Sequence, residues 1–181
     1  MPSAWALRLN RIDALGGRCW HAAMSTEIER KFLVSGPRWR DGAVGQRLRQ
    51  GYLSVDEERT VRVRTVDDRA WLTIKGQTTG FTRVEYEYRI PAPDARELLD
   101  TLCHQPIIDK TRYEIRYAGH LWEVDEFHGA NEGLVVAEIE LGSEQEAFER
   151  PPWLGDEVSD DPRYSNANLI RHPFRDWGGG S

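Results

Sequence analysis

The stretch 25–34, STEIERKFLV, decides how this chain is read. As a strand it turns Glu27, Glu29 and Lys31 to one side and Ile28, Arg30 and Phe32 to the other, because side chains alternate faces with a period of two. Two carboxylates and an ammonium then stand in one row, an arrangement that calls for a reason elsewhere in the chain.

The period-two pattern recurs at 26–34, 46–55, 59–66, 69–75, 81–90, 107–118, 120–128 and 133–141, which predicts eight strands. The breaks carry turn chemistry, as in VDDRA, KGQTTG and AGH, and are short enough for hairpins between antiparallel neighbours. Helices are expected at PAPDARELLDTLC (91–103), with Pro93 and Asp94 as start signals, and at GSEQEAFER (142–150), with Ser143 placed to cap the first turn. A third is expected over 165–171. The predicted fold class is β-rich α+β: an eight-stranded antiparallel sheet closed into a barrel, since closure removes exposed edges, with a few short helices outside.

With 181 residues, 39% of them hydrophobic, the chain can bury a core of its own. A formal net charge of −6 argues against a nucleic-acid binder that works through a broad basic surface. No apolar run is long enough to span a membrane as a helix. The apolar positions of 1–23 are interrupted by Arg8, Arg11 and Asp13, so no leader is read there and a cytoplasmic location is expected. Cys19 and Cys103 are too few for a disulfide framework, and no CxxC or HExxH spacing marks zinc. Met24 stands just before the first patterned segment. Residues 1–23 are therefore read as a disordered N-terminal extension, 24–175 as one domain and 176–181, ending in GGGS, as a flexible tail.

Every strand divides in the same way. One face carries Glu27, Glu29 and Lys31; Arg62 and Arg64; Lys75; Arg83, Glu85 and Glu87; Lys110 and Arg112; Glu123 and Asp125; Glu138 and Glu140. The other carries Ile28, Phe32, Val61, Val63, Leu72, Ile74, Tyr86, Tyr88, Tyr113, Ile115, Trp122, Val124, Val135, Ala137 and Ile139. A sheet with one solvated side gives this alternation too. Against that stands the poverty of Ser, Thr, Asn and Gln on the charged face, together with the threefold recurrence of Glu-x-Glu and the like charges two apart at Arg62/Arg64 and Lys110/Arg112. Like charges adjoining on one strand face repel unless an opposite charge lies among them. Carboxylate pairs suit Mg2+ or Mn2+, and clustered Arg and Lys suit a polyanion. Both sets facing one lumen imply a metal-bound polyphosphate.

The ordered series ExExK (Glu27, Glu29, Lys31), Arg62-Val-Arg64, Lys75 in LTIKG, Arg83-Val-Glu85-Tyr-Glu87, Lys110-Thr-Arg112, WEVDEF and Glu138-Ile-Glu140 resembles the triphosphate tunnel metalloenzymes, or CYTH proteins. RQGYL and RYSNANL resemble short bacterial members, the inorganic triphosphatase type. The resemblance runs from Met24 to about Pro173. It implies an eight-stranded tunnel that binds a linear triphosphate end to end with Mg2+ or Mn2+. It implies phosphate contacts from Lys31, Arg62, Arg64, Lys75, Arg83, Lys110 and Arg112. It further implies a first metal on Glu27, Glu29, Glu138 and Glu140, and a second near Glu85, Glu87 and Asp125. Lys110 with Tyr52 would orient the attacking water.

The expected reaction is hydrolysis of inorganic triphosphate to pyrophosphate and phosphate; the alternatives are nucleoside or thiamine triphosphate hydrolysis, ATP cyclisation, or polyphosphate binding without catalysis. The expected partner is a small polyphosphate, with neither nucleic acid nor membrane, and a homodimer is left open. Trp39, Trp71, Trp122 and Trp153 are read as packing the outer face, and 156–161 as a solvated acidic loop.

Overall fold

The computed structural model describes residues 28–56, 58–77, 85–143 and 145–178. Nine strands are found: β1 (Ile28–Val34), β2 (Gly45–Asp56), β3 (Arg59–Val66), β4 (Arg69–Gly76), β5 (Glu85–Ile90), β6 (Ile108–Tyr117), β7 (His120–Phe127), β8 (Val135–Leu141) and β9 (Leu154–Glu157). Two α-helices accompany them, α1 (Ala92–Thr101) and α2 (Asn166–Arg171). One sheet runs β5-β4-β3-β2-β6-β7-β8-β1-β9, with antiparallel neighbours throughout. The eight expected strands are all present, although residues 81–84 of the fifth lie outside the described residues. So does the expected N-terminal extension.

Three expectations about secondary structure need correction. The sheet has nine strands where eight were predicted, with β5 and β9 at its edges among the described residues. β9 lies partly in the stretch read as a solvated acidic loop. It pairs with β1 because Leu154 packs on the apolar core and Arg30 grips the Glu157 carboxylate, its Nε donating at 2.7 Å. The third concerns 142–150, which is not helical. The Glu146 carboxylate accepts the Gly142 backbone N–H, Phe148 packs against Phe32 and Trp122, and Pro151 follows; a residue before proline avoids the helical region.

The apolar face is covered in two places. Phe32, Trp122, Val124, Ala137 and Ile139 form one cluster with Trp39 and Trp153, rings meeting edge to face. Elsewhere α1, with Pro93 and Asp94 in its first turn, lays Ala95 and Leu99 on Val63, Ala70 and Cys103. Backbone and side chain meet closely there: a Cβ on Gly51 would stand 2.7 Å from Cys103 Cβ and 2.9 Å from its Sγ. Gly51→Ala is expected to lower stability by about 1–3 kcal/mol through overpacking, which a thermal melt would register as a lower midpoint.

Trp71 belongs to the other face. It is two residues from Thr73 and four from Lys75, so the alternation puts all three on the charged side, where Trp71 packs with Leu48 and Val66. The same side turns apolar toward one end. There Leu169 and Ile170 of α2 cluster with Tyr52, Ile108, Phe127, Leu134 and Val136, and Ser165 caps the helix by accepting the Asn168 N–H. Trp177, inside the stretch read as a tail, packs its ring on Tyr164 and Phe174.

Candidate active site

Residues directly opposite on paired strands share a face, so register assembles the site. Across β1, β8, β7 and β6 the opposed pairs are Lys31 with Glu138, Glu138 with Glu123, Glu29 with Glu140, and Asp125 with Arg112. Across β2, β3, β4 and β5 they are Gln50 with Arg64, Tyr52 with Arg62, Arg62 with Thr73, Thr73 with Glu87, and Lys75 with Glu85. β2 joins the halves, since Gln46 opposes Arg112 and Leu48 opposes Lys110 on β6.

In the first half the charges form one network. Asp125, fully buried, accepts Lys110 Nζ at 2.5 Å and the Arg112 guanidinium twice, at 2.7 and 2.6 Å. Arg112 also donates to Glu138 at 2.9 Å and to Glu123. Lys31 bridges Glu138, at 2.5 Å, and Glu29. In the second half Arg64 reaches Glu87 at 3.2 Å, Thr73 donates to the same carboxylate at 2.9 Å, and Lys75 pairs with Glu85 at 2.8 Å. Arg64 also lies over the Trp71 ring, 5.3 Å from its centroid.

Burial sets the electrostatics. It lowers the Lys110 ammonium below the ordinary lysine range and Arg112 adds to this, while Asp125 and Glu138 oppose it. Arg64 falls to about 9, mainly by burial and then by the neighbouring Arg62. Burial alone would raise Glu138, but Lys31, Arg112 and Lys110 outweigh it and bring its carboxyl to about 2. The same contest at Arg112 ends well above the ordinary value, because Asp125, Glu123 and Glu138 together exceed the desolvation cost.

The structure thus brings together Lys31, Arg62, Arg64, Lys75, Lys110, Arg112, Glu85, Glu87, Asp125 and Glu138 on one face, with Glu29 and Glu140 at a more exposed margin. Tyr52 sits in the apolar end; it and Lys110 share Phe127 as a neighbour, the ammonium lying 5.4 Å from that ring centroid. Glu27 and Arg83 lie outside the described residues. Thr73, Gln50 and Trp71 were not anticipated on this face, although their even spacing from Lys75 and Tyr52 was a sufficient signal.

Glu29 and Glu140 stand face to face across β1 and β8, and carboxylate oxygens are the donors a hard divalent ion prefers. Among the described residues no three such groups yet converge on a point, and Lys31 draws Glu29 and Glu138 to itself. Chemically, the donor set fits Mg2+ or Mn2+. Cations gathered on one sheet face and flanked by such carboxylates can hold a run of phosphates and stabilise charge on its oxygens.

The CYTH domain family model matches residues 25–174. An inorganic triphosphatase of Acetivibrio thermocellus is 50% identical over 154 residues, covering 85% of this chain and 99% of that protein. One of Nitrosomonas europaea is 38% identical over 149 residues, covering 80% and 96%. A solved structure of an inorganic triphosphatase superposes with a TM-score of 0.64 at 35% identity, over 82% of this chain and 97% of that one.

Proposed function

This chain belongs to the CYTH domain family, and on that premise we propose that it hydrolyses inorganic triphosphate to pyrophosphate and phosphate. The observation that carries this is that Lys31, Arg62, Arg64, Lys75, Lys110 and Arg112 share one sheet face with carboxylates among them. Those cations hold the phosphate oxygens, Arg62 and Arg64 by forked donation, and Arg112, whose Nε and Nη2 are held by Asp125, together with the lysines through their charge. Arg83 joins them.

Water attacks a terminal phosphorus in line; the bond to the bridging oxygen breaks, its electron pair leaves with pyrophosphate, and the water proton is released. Lys110, with its lowered ammonium pKa, and Tyr52 hold that water. Glu27, Glu29, Glu138 and Glu140 are assigned to a first divalent metal, Mg2+ or Mn2+, and Glu85 and Glu87 to a second. When bound, such metal neutralises phosphate charge and acidifies water. Asp125 we take out of the metal set, because its side chain is almost fully buried and both its oxygens are held by Arg112 and Lys110, whereas Glu138, although also bonded through both oxygens, keeps some exposure beside Glu29 and Glu140. It holds those two cations in place.

The closed tunnel is part of the same proposal: the curved sheet wraps the anion, charged face inward. So is action on a free small polyphosphate in the cytoplasm. Among the described residues no helix is long and apolar enough to cross a membrane.

The test is phosphate release from tripolyphosphate, ATP, GTP and thiamine triphosphate with Mg2+ or Mn2+. Tripolyphosphate is expected to be the best substrate and chelator to abolish turnover. Cyclic nucleotide from ATP, or metal-independent binding without phosphate release, would overturn the proposal.

A further inference from the structure

Gln50 lies in the middle of the site and has no role in the account above. It directly opposes Arg64 on β3 and Ile108 on β6, so its side chain projects to the charged face. Lys110 is two residues beyond Ile108, and Tyr52 two residues beyond Gln50, on that same face. Opposed side chains start about 5 Å apart and diagonal ones about 7–8 Å apart, so a ligand spanning Arg64 and Lys110 passes Gln50.

The residue is 2% exposed, and its Nε2 has no hydrogen-bond partner among the described residues. A buried amide left unpaired is destabilising, and native folds keep few such groups. The cost is intelligible if the missing acceptor arrives from solution. A primary amide offers two N–H donors and no charge, and its neighbours already select an anion rich in oxygen acceptors.

Resting on the triphosphatase assignment, we infer that Gln50 is a substrate-binding residue whose side-chain N–H donates to a phosphate oxygen held between Arg64 and Lys110. The donor is kept unpaired in the free protein, so binding the anion removes a penalty as well as forming a bond. A neutral donor at this place adds affinity without a further cation to repel Arg62, Arg64 and Arg112.

A structural hydrogen bond and a reserved donor predict opposite effects of an apolar isostere. Replacing an unpaired buried amide by a hydrocarbon of similar shape is neutral or stabilising, whereas losing a satisfied one is destabilising. Gln50→Leu is therefore expected to melt at or above the wild-type temperature in chelator. It is also expected to bind tripolyphosphate roughly ten- to a hundredfold more weakly by calorimetry, the range for a hydrogen bond to a charged group, with KM raised in step under Mg2+. Gln50→Glu, the same size without the donor and carrying negative charge, is expected to bind more weakly still.

A Gln50→Leu protein that melts below wild type would overturn the inference, as would affinity within about twofold of wild type for either variant. If the wild-type chain itself neither binds nor hydrolyses tripolyphosphate, the triphosphatase assignment falls and this inference with it. If wild type binds and the variants bind equally, Gln50 alone is excluded.

Discussion

Asp125→Asn is expected to cut kcat/KM for tripolyphosphate by about two orders of magnitude, the size of effect that follows from loosening a positioned group by roughly an ångström. The substitution keeps the shape and removes the charge that both Lys110 and Arg112 are built around. Taking one partner from a buried ion pair is also expected to cost roughly 3–5 kcal/mol of stability, visible as a lower melting midpoint. Because Asp125 acts through the two cations, the Mg2+ concentration for half-maximal rate should stay close to wild type. A large rise in that concentration, with turnover restored by excess metal, would return Asp125 to the metal ligands and refute the positioning role.

Glu138→Gln is expected to have the second large effect, because one carboxylate anchors Lys31 and Arg112 together. With its folded pKa near 2, below the ordinary carboxylate value, Glu138 is ionised more readily folded than unfolded. It therefore contributes stability above its ordinary value of 4.5, and that contribution is lost as pH falls from 4.5 toward 2. In chelator, the wild-type melting temperature should drop through this window, while Glu138→Gln starts lower at neutral pH and falls less. Parallel curves for the two proteins would count against the network. On the proposal that Glu138 is a first-metal ligand, its loss should also weaken metal activation by at least the roughly ten- to hundredfold found when only the groups supporting a metal's ligands are disturbed.

Alternation carried most of the fold. Eight strands and α1 were legible because strand faces differ sharply in polarity and because Pro93 and Asp94 announce a helix start. β9 was not, since LGDE has no alternating pattern; it becomes a strand because β1, remote in sequence, brings the apolar core to Leu154 and the Arg30 charge to Glu157. The helix expected at 142–150 failed for the complementary reason. Its propensity is outweighed by Phe148, which buries itself against Trp122, and by the prolines that follow. Trp71 was misplaced by assuming that a large aromatic faces away from charge, although Arg64 stacks over it.

That Lys31, Arg62, Arg64, Lys75, Lys110, Arg112, Glu85, Glu87, Asp125 and Glu138 share one face was settled by the chain alone, because period-two spacing fixes the face each takes. Their pairing was decided by the fold. Register between strands as far apart in sequence as β1 and β8 determines that Lys31 meets Glu138, and the meeting of β2, β3 and β6 leaves the buried Gln50 Nε2 without an acceptor among the described residues. The physical reason is range: a side chain's face depends on its immediate neighbours along the strand, whereas its partner, burial and protonation depend on which distant strand the backbone hydrogen bonds bring alongside.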